Sequence, residues 1–496
     1  MLMHKGGNVN ERNGVDFTDE NIQLLFGFED AESEPIERLK EYYLKKDTYD
    51  RVTADLPIRI LVGHKGTGKS ALFKVAMSEE RERDHLPILI KPDDIAELGK
   101  SDENFLLRIR QWKWGLNKII GEKVFNELGV YNDDIASKIT KFGVKLTSLI
   151  FETVTSLKNQ ATLLPAQKLL MENYLKTKKI TVYIDDLDRG WEGKRDDIIR
   201  ISALLNCIRD LANENERLFF KISLRSDVYF LVRTSDESTD KIEGSVVWFS
   251  WTNHEILVML IKRILTFFDR PFDERFLISS KQKDIKHYLD YIMEPIFSGS
   301  GKWENVPMYK VLMSLIRKRP RDLVKLCTLA ARNAKSRKSR LICTPDFQSI
   351  FEDYSQGRIQ DTINEFKSEL NNIEYLLFGM KPSTKLPKTA DGFVFTTADL
   401  YKKISNIMEQ TNFTFANGKT VDKKTLAQFL YKINFLTARK QIDGGEINRK
   451  YFEENRYLSS SFTDFGYDWE IHPAFRWALK PDSIADIYNK LSVSAD

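Results

Sequence analysis

Cysteine is scarce in this sequence: Cys207, Cys327 and Cys343 are the only three in 496 residues. They are odd in number, far apart and in no metal-ligand spacing, which excludes a disulfide frame or a structural zinc site and fits a reducing, cytoplasmic compartment. Buried or inert thiols are expected. Long apolar runs are missing too. Even Ile58 to Val62 and Leu218 to Leu224 are short and bounded by charge, so no membrane-spanning helix is expected. Met1 to Asp16 is polar, rich in Gly and Asn and without the apolar stretch of a secretory signal; it reads as a flexible tail. The six histidines are scattered, and His254-Glu255 lacks the second histidine of a zinc-protease helix. Nor is there an excess of charge of one sign. With 76 basic and 72 acidic residues the net charge is +4, so any basic surface has to be local.

What is present is the balance of a folded chain, 42% hydrophobic and 30% charged, at a length above the roughly 250–300 residues at which single cores stop growing. From Asn21 to Asp50 the apolar residues Ile36, Leu39, Tyr43 and Leu44 are spaced for one helix face. Short β-branched or apolar runs follow at Ile58 to Val62, Ile88 to Lys91, Ile180 to Ile184, Leu218 to Leu224 and Val246 to Ser250, with helical segments between them. That alternation predicts parallel crossovers and a three-layer α/β sheet. Beyond Thr252 the pattern is helical to about Asn333, without a convincing strand, and predicts a helical lid packed beside the sheet domain. Asp443-Gly444-Gly445-Glu446 offers the positive-φ positions of a tight hairpin, and Tyr467 to Ile471 reads as a closing strand, so helices plus a β-wing suggest a winged helix. The expected organisation is a tail (1–20), an α/β core (21–252) with a helical insertion at about 100–175, a helical lid (253–380), a linker (381–396) and a winged-helix-like domain (397–496).

The chemistry is concentrated in one octapeptide. Gly63-His64-Lys65-Gly66-Thr67-Gly68-Lys69-Ser70 satisfies G-x-x-x-x-G-K-[ST], follows a strand and opens a helix. Glycines let backbone N–H groups curl around a β-phosphate, and the helix adds its positive N-terminal end. Lys69 is the reach to the β- and γ-phosphates, and the Ser70 hydroxyl is a magnesium ligand. These features predict ATP and Mg²⁺ as the bound species. The strand Ile180 to Ile184 runs into Asp185-Asp186; one carboxylate can hold the metal's water shell and the other can orient an attacking water. Asp185 is taken as the metal-side residue and Asp186 as the catalytic one, with Asp188 and Arg189 extending the motif as an internal ion pair. Arg225, after the strand Leu218 to Leu224, has two open readings: an approach to the γ-phosphate, or a salt bridge with Asp227 or the acidic pair. Arg321, at a helix start set by Pro320, either reaches the phosphates from the lid or is a solvated basic helix start. The run Arg332, Lys335, Arg337, Lys338 and Arg340 is either a nucleic-acid contact or a wet surface.

Together these residues resemble bacterial AAA+ and STAND-type P-loop ATPases. KAP-type ATPases share the form Asp185-Asp186-Leu187-Asp188-Arg189, and origin-recognition ATPases share the lid arginine and a C-terminal winged helix. The segments Phe26 to Glu32 and Ile471 to Arg476 are similar to a group of bacterial and prophage P-loop ATPases. The resemblance implies that Lys69 and Ser70 touch nucleotide and metal, that Arg225 is a sensor and that Arg321 is the lid sensor. Two departures stand out. The second acid is Asp186 where many AAA+ proteins carry Glu, which shortens its reach to the water, and the membrane helices common in KAP proteins are not seen. The implied function is a nucleotide-driven switch acting on a protein partner or on further copies of itself, in anti-phage defence or a related regulatory complex. The alternatives are a DNA-binding ATPase of the origin-recognition kind, with the basic lid helix and wing on duplex DNA, and an ATP-binding scaffold with little turnover.

Overall fold

The computed structural model of the protein describes residues 14–83, 85–99, 104–127, 178–235, 237–382, 391–441, 447–455, 458 and 466–479. They fall into two compact units. A sheet unit holds Lys45–Lys65 and Lys69–Phe249, and a helical unit holds the chain up to Leu44, Gly66–Gly68 and everything from Ser250 onward.

The sheet unit is built on five parallel strands: β1 (Ile58–Val62), β2 (Leu86–Ile90), β3 (Ile180–Ile184), β4 (Leu218–Leu224) and β5 (Val246–Trp248). Their spatial order is β2-β3-β4-β1-β5. Parallel neighbours need crossovers long enough for a helix, and here Lys69–Glu82, Phe105–Glu127, Arg195–Glu214 and Ser226–Ser235 lie between successive strands in the chain. Strands covered on both faces carry apolar residues without alternation; accordingly every residue of β3 and β4 is buried. Val182 and Phe220 pack in one core with Leu204, Cys207 and Ile208 of the Arg195–Glu214 helix and with Trp112, Leu116 and Ile120 of the Phe105–Glu127 helix. Burial pushes the Cys207 thiol up to about 12, which makes it inert. The second strand begins two residues earlier than its apolar run predicts. Pro87 has no ladder N–H, but β2 is an edge strand, where that lack is tolerated. Of the expected helical insertion, residues 104–127 are described and the remainder lies outside the described residues.

In the helical unit the leading segment forms separate helices, Asp19–Phe26 and Ile36–Tyr42. The first stops at Gly27, whose φ of +74° no β-carbon would easily allow. Asn253–Phe267 opens with a capping box, Thr252 accepting from the Glu255 N–H while Glu255 accepts from the Thr252 N–H. The helices Met308–Leu315, Pro320–Ser336 and Thr344–Phe366 follow. A strand pair, β6 (Ile296–Ser298) and β7 (Glu304–Pro307), corrects the expectation that this region has none. Its members are too short to show a period-2 pattern, and tertiary packing holds them: Phe297 meets Trp303 edge-to-face at 5.7 Å, both fully buried.

Toward the C-terminus, β8 (Val394–Phe395), the helices Thr397–Met408 and Lys423–Lys432, and β9 (Leu436–Gln441), β10 (Ile447–Lys450) and β11 (Asp468–Ile471) make two helices beside an antiparallel sheet of order β10-β9-β11-β8. β9 and β10 pair as a hairpin with Gln441 opposite Ile447, and the turn residues 442–446 lie outside the described residues. Residues 383–390 of the linker expected at 381–396 do as well. No helix among the described residues is long and apolar enough to cross a membrane.

Candidate nucleotide site

The loop leaves β1 while still laddered to its neighbour, the Gly63 N–H donating to the Leu224 carbonyl at 3.1 Å. Gly66 and Gly68 take φ of +80° and +95°, a region that costs glycine little and other residues more. Gly68 is a fixed position of the motif. Gly66 is not, and its lack of a side chain has a second cause within the helical unit: a β-carbon there would stand 3.1 Å from Cβ of Arg321. Lys65 is exposed. His64 is buried, with Nδ1 3.1 Å from the Ser226 hydroxyl. The Lys69 ammonium donates to the carbonyls of Gly63 (2.8 Å) and His64 (3.1 Å), so it is curled over the loop, and Ser70 follows in the first helical turn.

The acidic strand end stops two residues short of the loop, since Ile184 lies level with Ile60 through their shared neighbour Ile222. Val62 pairs with Leu224 and Ile184 with Ile222, so Gly63, Asp185 and Arg225 emerge at the same edge of the sheet. One strand, β4, separates β1 from β3, which sets the two strands about 10 Å apart laterally, two inter-strand distances. That interval suits a phosphate chain and a water. Asp185 accepts through Oδ1 from the Ser223 hydroxyl and from the Asp186 N–H (2.9 Å). Asp186 sits at φ +60°, a left-handed turn that Asp tolerates better than most residues. Its Oδ2 accepts from Nε and Nη2 of Arg189, both at 2.8 Å. Burial and the neighbouring Asp188 and Asp185 raise the Asp186 carboxyl above its ordinary value, while Arg189 partly offsets them. Arg189 therefore pairs with Asp186 and not with Asp188.

Arg225 forms a salt bridge with Asp227. It is buried and grips Asp227 in a fork, Nε to Oδ1 at 3.0 Å and Nη2 to Oδ2 at 2.6 Å, and its Nη1 lies 3.5 Å from Asp188. Arg225 thereby ties the end of β4 to the turn that carries the acids.

In the helical unit the Arg321 N–H donates to the Gly66 carbonyl at 3.3 Å and its Nε to the Glu29 carbonyl at 3.0 Å. Burial raises the nearby Asp30 carboxyl, but hydrogen bonds from Ser33 and the charge of Arg321 outweigh it and hold it below its ordinary value. The next residue, Asp322, is buried between two guanidinium groups, 2.8 and 3.1 Å from Arg317 and 2.6 Å from Arg358. Burial would raise its carboxyl, and the two arginines drive it well below the usual range instead. The basic run further along is largely engaged: Arg332 and Lys335 face Asp19 at 3.6 and 3.4 Å, and Arg337 forms a fork with Asp346 at 2.7 Å.

Two contacts were invisible to motif reasoning. Trp251 donates its indole N–H to the Thr67 carbonyl at 2.7 Å, and the Ser223 hydroxyl donates to Asp185. The Thr252 to Glu255 capping box marks where the helix after β5 begins, but nothing in it tells where the preceding tryptophan points.

The strand order, the loop after β1 and the acids after β3 give the sheet unit the fold of a P-loop ATPase. No protein-family model and no curated protein matches the chain. Among solved structures it is similar to the Walker-type ATPase PABY2304 of Pyrococcus abyssi, at 13% identity and TM-score 0.37 over 76% of this chain and 94% of that one. It is also similar to the ORC2 protein of Aeropyrum pernix, described with ADPNP and ADP (10% identity, TM-score 0.36, 85% and 86% covered). A third is the ORC1 protein of Aeropyrum pernix in complex with DNA (11% identity, TM-score 0.35, 92% and 95% covered). Similarity at this level carries no weight for activity, which rests on the chain's own residues.

Proposed function

We propose that this chain binds ATP with Mg²⁺, hydrolyses it and uses the nucleotide state as a conformational switch. The observation that carries the reading is the pairing of a glycine-formed loop and an acidic turn on one sheet edge, a single strand apart. Lys69 clamps the β- and γ-phosphates, and the loop N–H groups and the first turn of the following helix complete the anion cradle. A hydroxyl and a carboxylate form an oxygen donor set that fits magnesium, so Ser70 and Asp185 would hold the ion, which supplies neutralisation of phosphate charge when bound. Asp186 orients the attacking water and Arg189 steadies its carboxylate. Arg225 keeps the acidic turn in place through Asp188. Arg321 is the residue through which the Pro320–Ser336 helix senses the phosphates. In this reading the nucleotide state is passed on to a protein partner or a further copy of the chain.

Lys69→Ala is expected to weaken ATP binding about 100-fold or more, whereas Asp186→Ala leaves the affinity within about threefold and slows phosphate release at least about 100-fold. Calorimetry with a nonhydrolysable analogue and a single-turnover assay read the two effects. Equal loss of affinity in both variants contradicts the division of roles, and absence of phosphate release from the unmodified protein leaves an ATP-binding scaffold.

DNA binding is the second reading and has more support than a defence role. What supports it is the exposed Lys423, Lys424 and Lys440 on the helix and hairpin that this reading takes as a winged-helix-like domain. Anti-phage defence follows from the sequence resemblance alone.

A further inference from the structure

The crown of the phosphate loop is pinned from outside by two donors on consecutive peptides. The Gly66 carbonyl accepts from the Arg321 N–H at 3.3 Å, and the Thr67 carbonyl accepts from the Trp251 indole at 2.7 Å. Each peptide is trans, so its N–H points opposite to its C=O. Holding the Gly66 and Thr67 carbonyls outward therefore turns the N–H groups of Thr67 and Gly68 to the concave side, the orientation an anion requires. With φ of +80° at Gly66 and +95° at Gly68 the crown has other conformations at small cost, and glycine peptides flip readily unless held. Trp251 and Thr67 are both buried, at 5% and 4% exposure, so water does not compete for the indole bond.

From this geometry we infer that Trp251 is a positioning residue for nucleotide binding: its indole N–H presets the Thr67–Gly68 peptide so that the Gly68 N–H meets the phosphates without first paying for a flip. The inference rests on the ATP reading. It predicts a defined loss when only the N–H is removed, because the ring also fills space beside the loop. Two replacements separate the two roles. Trp251→Phe removes the N–H and part of the ring; benzothienylalanine installed at 251 keeps the bicycle and replaces N–H by sulfur.

The experiment is calorimetry with MgADP on the full chain, with the melting temperature of the nucleotide-free protein measured alongside. Both replacements are expected to raise the Kd for MgADP about three- to tenfold, the worth of one neutral hydrogen bond, and benzothienylalanine lowers the nucleotide-free melting temperature by no more than the loss of that one bond, a few degrees at most. In turnover the KM for ATP rises more than kcat falls, since Lys69 and Asp186 are untouched. Wild-type affinity with benzothienylalanine at 251 overturns the inference, and so does a nucleotide-free melting temperature lowered well beyond the loss of one hydrogen bond, which would mark a general loss of structure. Failure of the ATP reading is distinguishable: in that case the unmodified protein takes up no MgADP, or Lys69→Ala binds it equally well.

Discussion

At the scale of single residues, charges in unfavourable settings say most about this protein. Lys221 lies on β4 with no exposed surface, donating to the carbonyls of Ala54 at 2.9 Å and Leu56 at 3.3 Å, and burial depresses its ammonium from 10.5 to about 7. Between those values the unfolded chain binds the proton and the folded chain does not. Its contribution to stability is therefore complete above 10.5 and lost as pH falls through about 7. Lys221→Met removes that slope. Melting curves from pH 7 to 10 are expected to show the variant's stability relative to wild type highest at pH 7 and declining as pH rises. A pH-independent difference would show that Lys221 keeps its proton in the fold. Residue-scale roles differed in how far they could be read from sequence. Lys69 and Ser70 lie in one contiguous motif whose spacing carries the chemistry. The partner of Arg225 was open, because Asp227 two residues away and a phosphate at the strand end are equally reachable until the fold is known.

Among the elements, the Pro320–Ser336 helix is the most constrained. Proline presets its first turn, and Lys318 just before it adopts φ +52°, so the chain turns sharply into the helix. Asp322 then anchors that start to Arg317 and to Arg358 on the Thr344–Phe366 helix, all three nearly fully buried. Removing one member of such a buried network leaves uncompensated charge, whereas an exposed pair would matter little. Asp322→Asn is accordingly expected to destabilise the protein by about 3–5 kcal/mol, read as a shift of the urea midpoint at constant slope. A shift equivalent to less than about 1 kcal/mol would mean that the two arginines find other partners. Element type was legible where the pattern was long, as in this helix and in β3 and β4. The β6 and β7 pair was not, since three or four residues hold no periodicity and buried Phe297 and Trp303 secure it through contacts far along the chain.

For the whole molecule the near balance of 76 basic and 72 acidic residues is decided locally. Of the basic run after Arg321, Arg332 and Lys335 face Asp19 and Arg337 holds Asp346. Exposed lysines remain at the start of the Lys423–Lys432 helix and on β9. Duplex binding, followed by fluorescence anisotropy, is expected to weaken steeply with salt. It should fall about tenfold in the double variant Lys423→Ala with Lys424→Ala, and stay within about twofold in Arg332→Ala with Lys335→Ala. The reverse order would place DNA on the Pro320–Ser336 helix, and no binding at low salt would discard the DNA reading.

By itself the sequence determined the phosphate loop, the strands and helices around it and the acidic strand end, because each is specified by residues within a few positions of one another. Only the tertiary structure decided that β4 stands between loop and acids, that Arg225 closes on Asp227, and that Trp251 reaches Thr67 across 184 positions of chain. Strand order and long-range donor–acceptor pairs depend on which surfaces are buried together, and local propensity holds no record of that.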